Sequence, residues 1–219
     1  ENMIRMSHLY KTYLKTWPAL KDINITVSDR EFVFLTGPSG AGKSTFLKLI
    51  YGEERPTRGE LYVFGKKVSK MSHRGRALLR QKIGVVFQDF KLILTKTVYE
   101  NMALAANVVG LSPSVAHTRI LEVLSTLHMG HKIKTPVYQL SGGEQQRAAI
   151  ARALVTSPRI ILADEPTGNL DPSLSSTIMD LLKQINANGT TVIMATHDYN
   201  LVDRYPFRRI ELEEGRIRD

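Results

Sequence analysis

Hydrophobic residues alternate with polar ones in three stretches near the start of the chain, residues 3–9, 23–28 and 60–64. Alternation of period two between turn-prone positions is typical of half-buried strands, so these stretches predict an N-terminal antiparallel sheet. The pattern differs at residues 31–36 (EFVFLT), a short apolar run that precedes a glycine-rich stretch and a helical pattern at 43–51. This order predicts a strand, a loop and a helix.

Two further apolar runs, at residues 160–163 and 191–195, are short and bounded by polar residues, and each alternates with a helical stretch. Such runs are typical of buried parallel strands, so they predict an α/β core. Residues 89–157 show no strand pattern and predict a helical insertion into that core. Its predicted helices cover residues 98–107, 114–128 and 144–155.

The composition is that of a folded protein, because 42% of the 219 residues are hydrophobic, which suffices for a sizeable core. No run of about eighteen apolar residues and no signal-peptide pattern is present, so we expect the chain in the cytosol. The chain has no cysteine, which excludes disulfides, thiolate metal sites and cysteine redox chemistry.

The formal charge of +9 is unevenly distributed, since residues 1–82 hold 16 Lys/Arg against 7 Asp/Glu and residues 83–219 hold 14 of each. Residues 66–82 contain seven of these cations and no acidic residue. A solvated face is the first interpretation of this segment. The alternative is contact with anionic lipid headgroups or an acidic partner, which a positive potential attracts. Nucleic acid is a third possibility that no other feature supports.

The sequence GPSGAGKS at residues 37–44 fits the pattern G-x-x-x-x-G-K-[ST] between a predicted strand and a predicted helix. Its small residues let backbone N–H groups point into one concavity, and the helix adds its positive end, so phosphate oxygens bind there. Lys43 supplies a charge for the β and γ phosphates, and the Ser44 hydroxyl is a candidate magnesium ligand. A glycine turn that binds nothing is the alternative that this context disfavours.

Two acidic residues, Asp164 and Glu165, follow the apolar run at 160–163, at the strand end where open α/β sheets bind ligands. We expect Asp164 to hold magnesium through water and Glu165 to polarise the attacking water as general base. An acidic helix cap would explain an isolated pair of this kind. Because Asp164 and Glu165 occur in the same chain as the phosphate loop, the catalytic interpretation is favoured.

The sequence LSGGEQQR at residues 140–147 places Ser141, Gly142 and Gly143 at the beginning of a predicted helix. Backbone N–H donors there predict a second anion-binding position. A serine N-cap alone is the ordinary explanation, and the phosphate loop and the acidic pair in the same chain lead us to reject it. The chain then carries two helix starts suited to phosphate.

These elements together resemble the ATP-binding cassette (ABC) family over nearly the whole chain, with Walker A at 37–45, the LSGGEQQ motif at 140–146 and Walker B at 160–164. The resemblance implies a P-loop NTPase of the α/β class, with a RecA-like core, an antiparallel β-subdomain and an inserted helical subdomain. It implies one ATPase domain at 3–219, in which residues 3–88 and 158–219 form the core and residues 89–157 the helical part.

The resemblance also implies roles that spacing alone does not give. Gln88 is similar to the glutamine that senses magnesium and the attacking water, Asp171 in GNLD to the D-loop aspartate, and His197 to the switch histidine at the γ phosphate. The implied metal residues are Ser44, Gln88 and Asp164, and the implied catalytic residues are Glu165, His197, Gln88 and Asp171. The implied nucleotide contacts are Tyr13, Gly37, Ser39, Gly40, Ala41, Gly42, Lys43, Ser44, Thr45, Ser141, Gly142, Gly143 and Glu144.

Tyr13 resembles the aromatic residue that stacks on adenine. Tyr10 and Trp17 are nearby, and any of the three aromatics is equally consistent with surface or core packing.

In the family, two subunits enclose two ATP molecules, with the LSGG face of one covering the Walker A nucleotide of the other. The resemblance therefore implies an ATP-dependent homodimer, with ATP and Mg²⁺ as ligands and no nucleic acid as partner. It also implies an integral membrane subunit that docks near Gln88 and the helical part. That places the chain peripherally on the cytoplasmic face of a bacterial plasma membrane.

Within the family, ADEPTGNLD resembles the branch that includes lipoprotein-release and macrolide-efflux ATPases. Inside that branch, the stretch at 87–101, together with LTGPSGAGKSTFLKLI and MATHDYNLV, looks most like cell-division ATPases, in which the partner controls peptidoglycan hydrolysis. A lipoprotein-release or macrolide-efflux ATPase is the alternative, and only the membrane partner distinguishes the two. Phe90, Lys91, Ile93 and Lys96 depart locally from the expected sequence, on the surface that would receive the partner.

Overall fold

The computed structural model describes residues 2–168 and 170–218. Asn169 of the GNLD segment and Asp219, the last residue of the predicted domain, lie outside the described residues. The strands are β1 (Asn2–Tyr13), β2 (Trp17–Ser28), β3 (Phe32–Thr36), β4 (Arg58–Val63), β5 (Lys66–Lys67), β6 (Ile83–Val86), β7 (Ile160–Asp164), β8 (Thr191–Thr196), β9 (Arg208–Glu213) and β10 (Arg216–Arg218). The α-helices are α1 (Lys43–Ile50), α2 (His73–Arg80), α3 (Val98–Val108), α4 (Pro113–Thr126), α5 (Gly142–Leu154), α6 (Pro172–Ala187) and α7 (Tyr199–Val202).

A small antiparallel sheet forms the N-terminal layer, in the order β2-β1-β4-β5. Alternate residues of β1 and β2, such as Ile4, Met6, Ile23 and Val27, are buried against the core, as a half-buried sheet requires. The predicted antiparallel sheet is confirmed. Its first two strands are longer than predicted because they continue into a hairpin whose turn begins after Tyr13.

A larger sheet has the order β10-β9-β3-β8-β7-β6, and the pairs from β9 to β6 are parallel. Strand β3 is buried at every residue, which explains its continuous apolar run. The predicted α/β core is confirmed. The sequence analysis did not predict β9 and β10, which add a parallel strand and an antiparallel strand at the edge beside β3.

The two faces of the large sheet are covered by different layers. One face packs on α1 and the small sheet, with Phe46 and Leu49 fully buried between them. The other face packs on α5, α6 and the helices of the insertion through one continuous cluster that includes Met102, Ile120 and Met194. The site-bearing strands are thus held rigidly from both sides.

The segment 89–157 contains α3, α4 and α5, close to the three helices predicted there. Among its residues, all of which the structure describes, no strand occurs, and an isolated bridge joins Thr97 to Pro136. The subdomain boundaries at 89 and 157 stay a prediction. In the described part of the chain, no helix is both long and apolar enough to span a bilayer.

Candidate nucleotide site

The glycine-rich loop connects β3 to the beginning of α1, and its backbone conformation requires glycine. Gly37 has φ 147°, and a Cβ there would lie 2.2 Å from the Leu212 carbonyl oxygen. Gly42 has φ 108°, and its Cβ would lie 2.7 Å from the Ala19 carbonyl oxygen. Both contacts are too short for any side chain, so the strands behind the loop fix its shape.

A cavity of about 310 Å³ opens at this loop, at the carboxyl ends of β3, β6, β7 and β8. It brings together three separate predictions from the sequence: the phosphate loop, the acidic pair and the isolated residues Gln88 and His197. The lining residues are Trp17, Ala19, Ser39, Gly40, Gly42, Lys43, Ser44, Thr45, Gln88, Asp164, Glu165 and His197. Gly37 and Ala41 shape the loop without lining the cavity.

The Lys43 ammonium is buried beside this cavity and is held by the loop itself. Its Nζ donates to the carbonyl oxygens of Gly37 at 2.6 Å and Pro38 at 3.0 Å. It also lies 3.6 Å from Glu165 Oε1. The charge is therefore positioned at the centre of the loop before any contact to a phosphate is needed.

Glu165 is buried and lies between two partners. Its Oε1 is 2.8 Å from His197 Nδ1, and its backbone N–H donates to the Ala195 carbonyl oxygen at 2.9 Å. Its φ of 48° is in the left-handed region, which is uncommon for a non-glycine residue. This strained turn directly after β7 holds the carboxylate at the cavity, facing Lys43 and His197.

Asp164 is the last residue of β7 and is half-buried in the same cavity. Burial raises the pKa of its carboxyl, and hydrogen bonding with Ser44 and the charge of Lys43 oppose that rise, while Glu165 adds to it. A carboxylate and a hydroxyl beside each other at a phosphate loop are hard oxygen ligands of the kind that Mg²⁺ prefers. The donor set therefore fits magnesium.

Gln88 lies two residues after β6 and lines the cavity. Its Nε2 lies 3.6 Å from the position that a Cβ on Gly168 would occupy, so it also approaches the segment after the acidic pair. Gln88 is exposed.

The second helix start lies elsewhere, because none of Ser141, Gly142, Gly143 and Glu144 lines the cavity. Ser141 is the N-cap of α5 and forms a capping box with Glu144: the Glu144 N–H donates to Ser141 Oγ at 3.3 Å, and the Ser141 N–H donates to Glu144 Oε2 at 2.9 Å. The hydrogen bond from Ser141 lowers the pKa of Glu144, with a further contribution from Lys132 at 3.2 Å. Ser141 and Gly142 are exposed.

Asp171 also lies outside the cavity. It is the N-cap of α6, and its Oδ1 accepts hydrogen bonds from the N–H groups of Ser173 at 2.9 Å and Leu174 at 3.1 Å. Within this chain it therefore stabilises a helix start, and its catalytic role stays a prediction.

Two aromatics of the first hairpin stand at the cavity. Trp17 lines the cavity and is 62% exposed. Tyr13 lies behind Trp17, with the two ring centroids 5.7 Å apart. The Tyr13 hydroxyl is 3.5 Å from Thr45 Oγ1. Tyr10 is not among the lining residues and packs against Arg58. Ala19, also in the lining, was not singled out from the sequence, since a small strand residue carries no signal of its own.

A phosphate loop, an acidic pair at the end of the adjacent strand and a helical insertion with a second phosphate-type helix start define a P-loop NTPase of the ATP-binding cassette type. Residues 20–168 match the family described as ABC transporter, and the chain belongs to that family. It is an ATPase of the ABC type.

Curated relatives match over almost the entire chain. The chain is 49% identical to the cell division ATP-binding protein FtsE of Bacillus subtilis, over 98% of this chain and 94% of that protein. The identity is 50% to the protein of the same name in Mycobacterium tuberculosis, over 98% and 94%, and 44% to that of Escherichia coli K12, over 98% and 97%.

Solved structures share the fold. A component of the ABC transporter complex cbiONQ from Clostridium perfringens superposes with a TM-score of 0.92 at 32% identity, over 100% of this chain and 88% of that one. A dimeric ATP-binding cassette in a post-hydrolysis state, bound to ADP and Pi, superposes with a TM-score of 0.88 at 38% identity, over 99% and 97%.

Proposed function

We propose that this chain hydrolyses Mg²⁺-ATP as one half of a homodimer and drives a membrane subunit in bacterial cell division. The relatives reported above, which are named cell division ATP-binding proteins, support the cell-division part of this proposal. In this proposal the membrane subunit is similar to FtsX and controls peptidoglycan hydrolysis, and the chain lies peripherally on the cytoplasmic face of the plasma membrane. A lipoprotein-release or macrolide-efflux role is not favoured, because the curated relatives reported above are cell-division proteins.

The observation that carries the proposal is the separation of the two phosphate-type helix starts. The beginning of α1 opens into the cavity with the acidic pair, whereas Ser141 at the beginning of α5 is exposed and outside that cavity. A second copy of the chain supplies the missing cover if its α5 start faces the nucleotide. Residues of two chains then complete one site, which fits the dimeric state of the post-hydrolysis neighbour.

In the proposed site, backbone N–H groups of the loop and Lys43 bind the phosphates. Ser44, Asp164 and Gln88 would hold Mg²⁺, which when bound neutralises charge on the phosphate oxygens. Glu165 accepts the proton of the attacking water, and His197 orients the Glu165 carboxylate through the 2.8 Å contact. Trp17 or Tyr13 provides a ring for adenine.

The membrane partner is proposed to dock in a second cavity, of about 440 Å³, on the outer side of β6. Its lining includes Phe87, next to Gln88, and Arg152 of α5, which donates to the backbone carbonyls of Phe90 and Lys91. An element bound there contacts both β6, which leads to Gln88, and α5, which is capped by Ser141. Of the departing residues, Lys91 lines this cavity and Phe90 precedes Lys91 in the chain. Both have left-handed φ values, 60° at Phe90 and 50° at Lys91.

Complementation between two inactive variants tests the shared site. Lys43→Ala removes the phosphate-binding charge, and Ser141→Arg blocks the α5 start. Each variant alone is expected to be inactive, whereas an equal mixture regains about a quarter of wild-type turnover, because half the dimers are mixed and each has one intact site. An inactive mixture, with mixed dimers verified by cross-linking in ATP, would show that each chain completes its own site.

Ala105→Arg tests the docking cavity, because Ala105 lies in its wall and outside the nucleotide site. We expect this variant to lose co-purification with the membrane subunit and to keep the ATPase rate of the isolated chain. Unchanged co-purification would place the partner elsewhere on the surface.

A further inference from the structure

Cations of the basic segment 66–82, together with Arg55, form a surface without carboxylate partners. We define the basic face as Arg55, Lys70, Arg74 and Leu78, all exposed. Arg74 and Leu78 lie one turn apart on the same side of α2, Lys70 precedes that helix, and Arg55 Nη2 lies 3.5 Å from the Met71 carbonyl oxygen. In the described part of the chain, none of the three cations forms an ion pair.

The neighbouring carboxylates are engaged with other groups. Glu54 pairs with Lys11 at 2.6 Å and Glu60 pairs with Lys67. Glu53 accepts from the Tyr51 hydroxyl and pairs with Lys48 at 3.4 Å. The positive potential of the basic face is therefore not compensated locally, which distinguishes it from an ordinary solvated surface of mixed charge.

Helix α2 presents this face rigidly. Leu79 is buried, and Arg80 donates to the carbonyl oxygens of Tyr51 at 3.2 Å and Gly52 at 2.8 Å, which fastens the helix to the turn after α1. Tyr51 and Arg80 also line the cavity proposed for the membrane partner. The basic face is thus continuous with the side of the molecule that would face the membrane.

We propose that the basic face binds anionic phospholipid headgroups, with Leu78 entering the headgroup region between the cations. This inference rests on the proposed membrane association. Leu78 is 52% exposed beside Arg74, and an apolar side chain among cations is the arrangement that interfacial helices use. A nucleic acid would gain less from the exposed leucine, and the continuity of the face with the side proposed to meet the membrane favours a lipid surface over an acidic protein.

Vesicle co-sedimentation of the purified chain, without nucleotide or partner, tests this inference independently of ATP hydrolysis. We expect binding to vesicles of phosphatidylglycerol and phosphatidylcholine, little binding to phosphatidylcholine alone, and loss of binding at high salt. Each cation near an anionic surface contributes about fivefold in affinity, so loss of two predicts a drop of roughly 25-fold. Lys70→Glu with Arg74→Glu is expected to show at least that drop and unchanged ATPase activity.

The matched control is Lys15→Glu with Lys134→Glu, which changes net charge equally at exposed residues outside the basic face. The control is expected to bind the anionic vesicles like the wild type, and Leu78→Ser to bind them more weakly. Equal loss in both charge-reversed pairs would overturn the inference, as would equal wild-type binding to both vesicle types. A different result would assign the face to a protein partner instead: no binding to vesicles by the wild type, and poor co-purification of the Lys70/Arg74 double variant with the membrane subunit. Circular dichroism verifies that each variant is folded.

Discussion

Replacing Glu165 by glutamine tests the chemical core of the proposal, because it removes one negative charge and leaves the size of the side chain unchanged. The carboxylate lies 2.8 Å from His197 Nδ1 and 3.6 Å from Lys43 Nζ. An amide oxygen can still accept from His197, but an amide cannot take a proton from water. Loss of a general base costs about a hundredfold to ten-thousandfold in rate, or about 3–5 kcal/mol of barrier.

Folding and nucleotide binding are expected to survive this substitution. Lys43 keeps its two carbonyl partners at Gly37 and Pro38, so its ammonium is not left without acceptors when the glutamate charge is removed. We expect a loss of about 1–3 kcal/mol in the free energy of unfolding, the usual cost of weakening one buried polar contact. Thermal unfolding of the variant verifies that the folded fraction is unchanged at the assay temperature.

The assay combines single-turnover hydrolysis with size-exclusion chromatography in ATP. Glu165→Gln should bind ATP normally, hydrolyse it at least a hundredfold more slowly and elute as a stable dimer, because contacts to the γ phosphate persist when hydrolysis stops. Glu60→Gln makes the same chemical change at a carboxylate outside the cavity and should behave like the wild type. Turnover of Glu165→Gln within about threefold of the wild type would remove Glu165 from its role as base.

Three other substitutions give separate measurements. Lys43→Ala should abolish measurable ATP binding in calorimetry, because the variant loses the ammonium at the phosphate loop, and an undiminished affinity would contradict this role. Trp17→Ala should weaken ATP binding more than Tyr13→Ala, because Trp17 lines the cavity and a ring that stacks on a base contributes about 1–3 kcal/mol. A larger loss of ATP affinity in Tyr13→Ala would identify Tyr13 as the stacking residue instead. Glu144→Ala should lower the free energy of unfolding by about 1 kcal/mol at neutral pH, as loss of half a capping box does. The pKa of Glu144 is lowered in the folded state. Its contribution to the free energy of unfolding is therefore present above the unfolded-state pKa and is lost as pH falls through the folded-state pKa. Urea unfolding should show a difference between variant and wild type at neutral pH that disappears at acidic pH.

The sequence was sufficient for features whose cause is local. The loop at 37–44 and the acidic pair after β7 each lie within a few residues of a strand end, and the strand direction alone sets where they point. The cavity that joins Lys43, Asp164 and Glu165 is thus a consequence of parallel strands whose carboxyl ends meet at one edge. The roles of Gln88 and His197 came from the family resemblance, because a single polar residue after a strand carries no signal of its own.

Features that depend on distant contacts were not predicted. Strand β9 has alternating Ile210 and Leu212, but its place beside β3 depends on a pairing between residues about 175 apart in the chain, such as Val33 with Arg208. The choice between Tyr13 and Trp17 depends on which ring of one hairpin faces the cavity, which no periodicity encodes. Long-range pairing and side-chain direction both require the assembled fold.

Two rigid elements reach from the nucleotide cavity to the cavity proposed for the membrane partner. Helix α1 begins at Lys43 in the nucleotide cavity, and the residue after its end, Tyr51, lines the proposed docking cavity. Strand β6 leads to Phe87 in the docking cavity and Gln88 in the nucleotide cavity. Because interiors are close-packed, a displacement imposed at one cavity is transmitted along these short elements rather than absorbed between them. Under the proposed function, binding energy at the γ phosphate and movement of the partner are coupled through the two elements that touch both cavities.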